Sequence, residues 1–392
     1  MKYNNNQIDV EIVPFGNCIK KISFKKFEPI PAKEYCEKGL YPIIDQGKEL
    51  ISGYTNDSSK IIFENLPLII FGDHTRVLKF VDFPFAIGAD GTKIIKPTDE
   101  FDVKYFYFYL RTLKISNRGY NRHYSVLREQ IIKKINISEQ RTIASNLSII
   151  QDAITAQESL IEKLQELKKN MLHHLFTYGT KGEKTKMTEI GEIPNSWEVV
   201  RLGDYFNIQQ GKQVSKKNRM GNNQKGFLRT SNVFWDRIDI SELDYMHFKI
   251  DEEYKLHLNY GDLLICEGGD VGRTAMWQDE IKDCYYQNHL HRVRSKNGGI
   301  EQRYLLHWLN YSFEFSKIYF GHSNVTTIPN LSQSRLSSFK IPFPAKKEQY
   351  QIIQVLDSFA DKIMVNEEKN NVLNNLFESL LNNIMSGAND KI

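Results

Sequence analysis

A stretch of about forty residues occurs twice in the chain, and it constrains the fold more than any other feature of the sequence. The first copy begins at Glu139-Gln140 and the second at Glu348-Gln349, an offset of 209 residues. Ten positions are identical between residues 139–176 and 348–385, where average composition gives roughly two by chance. The 392 residues are therefore expected to form two equivalent halves, each ending in the repeated element.

Both copies have the apolar spacing of a long helix that packs against another helix. Apolar residues recur at intervals that alternate between three and four, as in a coiled-coil seam, and polar residues interrupt the seam near its middle. The pattern leaves the orientation of the pairing open, and the alternative is two amphipathic helices that pack separately on globular cores. The predicted helices span 137–178 and 343–387, with the pairing residues Ile143, Leu147, Ile154, Gln157, Ile161, Leu164, Leu356, Ile363, Asn366, Asn370, Leu373 and Leu380.

The remainder of the chain predicts two mixed α/β globules, at residues 1–136 and 197–342. A polar, Gly-containing stretch at 179–196 is typical of a linker between the halves. Aromatic-rich segments at 103–113 and 303–320 favour helices. Short apolar runs bounded by Gly, Asp or Pro predict strands at 66–73, 83–88, 261–268 and 289–295.

Charge and cysteine content limit the classes of protein to which the chain can belong. Lys and Arg number 52 against 48 Asp and Glu, so the net charge is only +4, and any contact with nucleic acid must come from local clusters. The four cysteines have no CxxC spacing, which predicts free thiols in a reducing compartment. There is no signal-like N-terminus and no run of about 18 apolar residues, so we expect a cytoplasmic protein without a membrane span.

The motifs of enzymes that act on DNA or nucleotides are missing. The chain has no Pro-Pro dipeptide, which the amino-methyltransferase motif contains, and Ile follows Lys93 where a P-loop needs Ser or Thr. Cys266, Cys284, His289 and His291 match no strong zinc spacing. No catalytic residue and no metal ligand is predicted. A methyltransferase or nuclease with unrecognised motifs is the alternative.

Polar loops in both halves interleave hydrogen-bond donors with Tyr and Phe. Such side chains suit phosphate contact and the reading of base edges, although ordinary solvated surface is the alternative for any single residue. The occurrence of these loops in both halves favours DNA binding. The candidate DNA-contacting residues are Lys20, Lys21, Lys25, His74, Arg76, Asn121, Arg122, His123, Tyr124, Lys212, Lys216, Lys217, Arg229, Asn232, Arg273, His322, Asn324 and Thr326.

Taken together, several segments of the chain resemble the specificity subunits of type I restriction–modification systems. The first copy of the helix start, at 133–143, departs from the family pattern because it lacks the prolines present before the second copy. The segments that carry the resemblance are 41–57, 71–95, 189–206, 227–240, 261–277, 287–294 and 340–357.

The resemblance implies an α+β fold with two mixed α/β target-recognition domains, separated by two long antiparallel coiled-coil spacer helices. Each domain would read one half of a bipartite target in double-stranded DNA. The chain would be non-catalytic and bind no cofactor. Two methyltransferase subunits would methylate adenine with S-adenosylmethionine, and a restriction or translocase subunit, a further candidate partner, would use ATP and Mg. A modification-only specificity subunit and a coiled-coil adaptor without DNA specificity are the competing hypotheses.

The predicted helices also carry apolar residues outside the seam. Such residues suit either a partner protein or packing against the globular parts of the same chain. They are Leu160, Leu167, Leu172, Ile353, Val355, Leu376 and Leu381.

Overall fold

The chain divides into two units, each of which combines a globular part with segments of two long helices. Unit 1 comprises residues 1–158 and 368–392, and unit 2 comprises residues 159–367. The predicted boundaries between globule and helix are therefore not the boundaries of the units, because each long helix is shared between them. The computed structural model describes residues 11–22, 28–88, 91–116, 122–320 and 331–387.

The first half of the chain forms short strands, two short helices and the first long helix. The long helix begins and ends at the predicted residues. These elements are β1 (Glu11–Pro14), β2 (Tyr41–Ile44), β3 (Gly53–Thr55), β4 (Ile61–Ile62), β5 (Leu68–Gly72), β6 (Leu78–Val81), β7 (Phe85–Ile87), β8 (Thr92–Ile95), α1 (Val103–Thr112), α2 (Tyr124–Arg128), β9 (Ile131–Lys134) and α3 (Ile137–Tyr178).

The second half repeats this order with additional hairpins. Its long helix begins three residues later than predicted, because Pro342 and Pro344 keep the preceding chain extended. Its elements are β10 (Thr185–Thr188), β11 (Gly191–Pro194), β12 (Glu198–Arg201), α4 (Leu202–Tyr205), β13 (Phe206–Gln210), α5 (Lys216–Arg219), β14 (Gln224–Leu228), β15 (Val233–Phe234), β16 (Arg237–Ile238), β17 (Asp244–His247), α6 (Ile250–Leu256), β18 (Leu263–Cys266), β19 (Thr274–Met276), β20 (Tyr285–Tyr286), β21 (Leu290–Ser295), α7 (Gln302–Asn310), α8 (Gln333–Ser338), β22 (Lys340–Phe343) and α9 (Lys346–Gly387).

The two globular parts share one plan of strand pairing. In unit 1, β2 pairs antiparallel with β3 and parallel with β7, and β5 lies between β6 and β8. In unit 2, β14 pairs antiparallel with β17 and parallel with β20, and β18 lies between β19 and β21. The central strands β5 and β18 are fully buried, which is why both read as continuous apolar runs in the sequence. The duplication therefore extends from the helices into the globules.

Each unit closes its core with the two long helices. In unit 1, Leu147 and Ile154 of α3 join Phe377 and Leu381 of α9 around the aromatic helix α1. In unit 2, a different part of each helix contributes, with Leu172, Leu175 and Phe176 of α3 beside Ile352 and Leu356 of α9. Burying one such side chain stabilises the fold by roughly 1.5–3 kcal/mol.

The predicted seam faces inward along both helices. All twelve predicted pairing residues are buried or half-buried. Among the off-seam residues, Leu172 and Leu381 are buried in the unit cores, so for these two the alternative of packing against the chain's own globules is correct. Leu160, Leu167 and Leu376 stay exposed, at 43%, 53% and 45% of their surface.

The segment predicted as a linker is part of the unit 2 core. Residues 179–196 contain the hairpin of β10 and β11, and Ile190 and Ile193 are buried against the core of that unit. Gly179 ends α3 with a φ of 65°, a conformation that glycine adopts without strain. The carboxylate of Glu348 then accepts hydrogen bonds from the backbone N–H of Thr180 at 3.0 Å and from Lys181 Nζ at 3.2 Å. The segment predicted as a linker is therefore folded, and its hairpin packs on the core of unit 2.

The repeated glutamine explains why the start of the helix occurs twice. Gln140 is fully buried, and its Nε2 donates to the carbonyls of Ile135 and Glu100 while its Oε1 accepts from the backbone N–H of Asp102. Each glutamine thereby ties the chain that enters its long helix to the loop that precedes the aromatic helix of its globule. In unit 2, the side chain of Gln349 makes the equivalent bonds to the carbonyls of Pro344 and Gly299 and to the N–H of Glu301.

Candidate nucleic-acid interface

The predicted recognition residues of unit 1 gather at the end of the central strand. Asp73 follows β5 and is 1% exposed. Its Oδ1 accepts a hydrogen bond from the backbone N–H of Tyr124 at 2.8 Å, and its carbonyl accepts one from the N–H of His123 at 2.8 Å. This anchoring brings residues 122–124 beside the turn that carries His74 and Arg76. The structure thus unites two loops that lie about fifty residues apart in the sequence.

The turn between β5 and β6 is held in one shape by the loop after β2. The backbone N–H of His74 donates to Gln46 Oε1 at 3.2 Å, and Thr75 Oγ1 donates to the carbonyl of Gln46 at 2.5 Å. A Cβ at Gly72 would lie 2.1 Å from Thr75 Oγ1, so a larger residue there would displace Thr75 from its hydrogen bond to Gln46. The side chains of His74 and Arg76 lie on the exposed side of the turn, where the sequence predicted them.

Unit 2 has an equivalent turn between β18 and β19. Glu267 stands where Asp73 stands in unit 1 and is 6% exposed, and its carbonyl accepts from the N–H of Leu331 at 3.1 Å. Arg273 closes the turn, with Nη1 donating to Asp270 Oδ2 at 2.6 Å and Nη2 donating to the carbonyl of Thr230 at 2.7 Å. Arg273 is therefore half-buried and organises the loop that carries Arg229.

Three predicted DNA contacts are wrong because the side chains are buried and bonded within the protein. His123 is fully buried, with Nδ1 3.0 Å from the carbonyl of Asp73. Lys212 is 8% exposed and forms an ion pair with Glu252. The amide of Asn232, 4% exposed, accepts from the N–H of Arg229 and donates to two carbonyls of the following loop. These three buried side chains hold the loops of the interface in place.

The remaining predicted residues differ in exposure. Lys21, Arg122, Lys216 and Lys217 are exposed. Lys20 is ion-paired with Asp99 at 2.6 Å. Tyr124 is half-buried, and burial raises the pKa of its hydroxyl. Arg229 is one-third exposed and lies 3.6 Å from a carboxylate oxygen of Asp244. The predicted contacts that fall outside the described residues are Lys25, Asn121, His322, Asn324 and Thr326.

Each unit has a cleft lined with basic side chains, which borders the turn in unit 1 and lies among β13, α5 and α6 in unit 2. The unit 1 cleft has a volume of about 890 Å³ and is bordered by Thr75 and Arg76 of the turn. The unit 2 cleft has a volume of about 950 Å³ and is bordered by Gln210, whose Nε2 donates to Glu267 Oε2 at 3.1 Å. The other basic residues are Lys48, Lys79, Lys104 and Arg111 in the unit 1 cleft and Lys212, Lys217, Lys249 and Lys255 in the unit 2 cleft.

The two clefts differ in their polar side chains. The unit 2 cleft also carries the amides of Gln209, Gln213, Asn218 and Gln333, whereas the unit 1 cleft carries the aromatic rings of Phe80, Phe83 and Tyr107. Amides are suited to hydrogen bonds with base edges, and the lysines of both clefts, apart from the buried Lys79 and Lys212, are suited to phosphates.

Comparison with known proteins finds one family model and several relatives that resemble this chain. Residues 194–375 match the family model described as the type I restriction modification DNA specificity domain. This segment, nearly half of the chain, is similar to the DNA specificity domain of type I restriction–modification systems. The chain is 25% identical to the MjaVIII specificity subunit of Methanocaldococcus jannaschii, over 97% of this chain and 92% of that one. Its identity to the EcoR124I/EcoR124II specificity subunit of Escherichia coli is also 25%, over 90% and 87% of the two chains.

Solved structures show that the fold is shared as well. The crystal structure of the type I restriction–modification S subunit from M. genitalium matches with a TM-score of 0.61 at 18% identity, covering 97% of each chain. A specificity subunit fold therefore extends over both halves of this chain.

Neither a metal site nor a membrane-spanning helix occurs within the described ranges. No group of three or more His, Cys, Asp or Glu side chains gathers there in a way that could hold a metal ion. In the same ranges, no helix is long and apolar enough to cross a membrane. Cys18, Cys266 and Cys284 are buried, and burial raises the pKa of the first two to about 11 and of the third to about 12.

The clefts could not be found from the sequence because their residues come from separate segments. Lys48, Lys79 and Lys104 stand in the loop after β2, in β6 and in α1, and only the tertiary fold brings them together. One signal was present in the sequence of α1, where Lys104, Tyr107 and Arg111 have the spacing of one helix face.

Proposed function

We propose that this chain is the DNA-recognition subunit of a type I restriction–modification complex, in which each globular part reads one half of a bipartite target. The observation that carries the proposal is the duplication of the interface. Both units place a turn at the end of a buried central strand, and in both the carbonyl of the first residue after that strand, Asp73 or Glu267, accepts a hydrogen bond from a distant loop. Two similar interfaces on one chain are suited to two half-sites.

We further propose that α3 and α9 form one antiparallel coiled coil that separates the two globular parts. Support comes from each unit taken separately. The start of α3 shares a core with the end of α9 in unit 1, and the end of α3 shares a core with the start of α9 in unit 2. A helix of 42 residues is about 63 Å long, which is compatible with half-sites centred about one DNA turn apart.

The chemistry is proposed to lie in partner subunits. Two methyltransferase subunits would transfer the methyl group from S-adenosylmethionine to adenine, and a restriction or translocase subunit would use ATP and Mg. This chain would bind none of these cofactors and would be non-catalytic. The exposed apolar side chains of Leu160, Leu167 and Leu376 on the long helices support a protein partner there, because such residues are usually covered.

Mapping of methylated adenines tests the proposal. Cells that express this chain with its modification subunits should carry methylation at one bipartite sequence, and deletion of the chain should abolish that methylation. The purified chain should transfer no methyl group by itself. Methyl transfer by the chain alone, or a methylation pattern that is independent of the chain, would contradict the proposal.

A further inference from the structure

We propose that the unit 1 cleft binds the sugar–phosphate backbone of double-stranded DNA beside the half-site that unit 1 reads, an inference that rests on the proposed function. Five basic side chains line this cleft, and Asp82 is its one acidic lining residue among the described positions. Phosphate contacts supply affinity and position a protein on DNA without reading sequence.

The polar side chains along one wall of the cleft are spaced by a distance close to that between nearby nucleotides of one DNA strand. Lys104, Tyr107 and Arg111 lie on one face of α1, and the seven residue steps from Lys104 to Arg111 span about 10.5 Å of helix. That length matches the rise of about three nucleotides along one strand. The two cations at its ends can therefore meet phosphates of the same strand, with the hydroxyl of Tyr107 between them.

Packing inside the unit holds these side chains at the wall. Lys104 Nζ lies 4.5 Å from the centre of the Phe80 ring, and Arg111 Nη1 donates to Gln151 Oε1 at 3.1 Å. Across the cleft, Arg76 Nη1 donates to the carbonyl of Ile115 at 3.1 Å. Because these cations are ordered in advance, a bound phosphate has less side-chain freedom to remove.

The floor of the cleft contains a buried cation. Lys79 is 4% exposed, and its Nζ lies 3.8 Å from Asp45 Oδ1, with no hydrogen-bond partner among the described residues. Burial lowers the pKa of this ammonium, although Asp45 opposes the shift. Because the ammonium itself is inaccessible from the cleft, Lys79 adds only positive potential beneath the floor, and the phosphate contacts are left to Lys48, Arg76, Lys104 and Arg111.

The position of the cleft favours DNA over a small phosphate compound. The cleft is an open groove, and it continues from Arg76 and Thr75 of the turn that the proposed function assigns to base reading. A strand that leaves this turn runs directly into the groove. Inorganic phosphate and a free nucleotide share the chemistry of the site, and the experiment separates them from DNA.

The test measures how salt affects the affinity of the assembled complex for its target. The double variant Lys48→Gln, Lys104→Gln should lower the steepness of log K against log salt by about 1.8, since each lost phosphate contact contributes about 0.9. The methylated sequence should stay the same. The matched control is Lys33→Gln, Lys38→Gln, which changes two exposed lysines of unit 1 that do not line the cleft. This control should leave the slope unchanged.

A second variant probes the floor of the cleft. Lys79→Met leaves Asp45 without its buried cation, so the unfolding temperature should fall, whereas the salt slope should keep its wild-type value because the inaccessible ammonium meets no phosphate. A nucleotide or inorganic phosphate should not saturate the cleft without DNA.

Each outcome has a distinct meaning. An unchanged salt slope in the double variant, or saturable binding of free phosphate that the double variant abolishes without affecting DNA, would overturn the assignment of the cleft. In either case the proposed function stands if the wild-type complex still methylates one bipartite sequence. If the wild-type complex shows no sequence-specific methylation, the proposed function itself fails.

Discussion

Arg303 donates a hydrogen bond from Nε to Asp357 Oδ1 at 2.8 Å and so joins helix α7 of the unit 2 globule to the long helix α9. The same oxygen lies 2.7 Å from Nε2 of His307, and the two Nη groups of Arg303 donate to Asp236 in the turn between β15 and β16. One carboxylate on the long helix is therefore connected, through one guanidinium, to a loop of the recognition globule.

Removal of this carboxylate should loosen unit 2. Asp357→Asn leaves the half-buried guanidinium of Arg303 with one anionic partner, and we expect a loss of about 2–3 kcal/mol, since hydrogen bonds to charged groups are worth about that much. The urea midpoint of the unit 2 transition measures the loss. Asp361→Asn, an exposed position one turn later on α9, is the control and should have little effect. Equal effects of the two changes would show that the network contributes nothing.

Low pH should destabilise the same network of Arg303, Asp357 and His307. Burial lowers the pKa of His307, although the hydrogen bond to Asp357 opposes the shift, and the folded protein therefore binds fewer protons at this site than the unfolded chain. Stability is thus fully present above pH about 6.5 and is lost as the pH falls, by at most about 1.4 kcal/mol per pH unit for this group. The pKa of His291 is also lowered by burial, and it adds a similar dependence.

His307→Phe separates the two histidines. Phenylalanine is the residue at the matching position of unit 1, where Phe108 packs on Phe377 with ring centres 5.8 Å apart. The variant should flatten the dependence of the unfolding temperature on pH between about 6.5 and 5 without removing it. A pH profile identical to that of the wild type would show that His307 carries no part of it.

The glutamine bonds offer a test in both units. In Gln140→Glu and Gln349→Glu, a carboxylate replaces an amide and faces two backbone carbonyls, so it repels where the amide donated. We expect each change to cost about 1–3 kcal/mol of stability. Gln354→Glu, at an exposed position of α9, is the matched control. If all three variants have the same urea midpoints, the hydrogen bonds of the repeated glutamine do not stabilise the fold.

The recognition turns should act on separate half-sites. His74→Ala should relax or weaken recognition of one half of the target, and Arg229→Ala the other half, each at a cost of about 1–3 kcal/mol in binding. Methylome mapping of both variants shows which half changes. A single variant that alters both halves, or neither, would contradict the assignment of one half-site to each unit.

A fragment of residues 1–178 should form a dimer. It lacks Phe377 and Leu381, which close the unit 1 core beside Leu147, and the end of α3 from a second copy can replace the end of α9. The dimer, with modification subunits, should methylate a palindromic site. Sedimentation at micromolar concentration measures the association, and a strictly monomeric fragment would contradict the equivalence of the two halves.

The repeat alignment identifies the weak point of that dimer. At the offset of 209 residues, Lys168 stands where α9 has Phe377. A lysine stem covers apolar surface less completely than a phenylalanine ring does. Lys168→Phe in the fragment should therefore strengthen its dimer, and weaker association of the variant would show that this alignment of the copies is wrong.

Periodicity made the helices and the central strands predictable from the sequence. A seam that runs for many turns predicts a helix as long as α3, and a short apolar run flanked by Pro67 and Asp73, such as that of β5, favours a buried strand. Whether a polar side chain in a loop is buried or exposed cannot be predicted from its neighbours in the sequence. Asn232 and Arg229 occur in the same stretch, yet Asn232 is bonded within the loop and Arg229 is partly exposed.

The segment 179–196 looked like a linker because Ile190 and Ile193 are isolated among polar residues. Their burial depends on the core of unit 2, against which they pack.

The sharing of α9 between the units also determines the order in which they can be completed during synthesis. Unit 2 has all of its residues once the chain has passed Glu367, whereas unit 1 still needs Phe377 and Leu381, more than 200 residues after Leu147. Contacts so distant in sequence close slowly and late. Until α9 emerges, the aromatic face of α1 has nothing from that helix to cover it. The half of the protein that is made first is thus the half that is finished last.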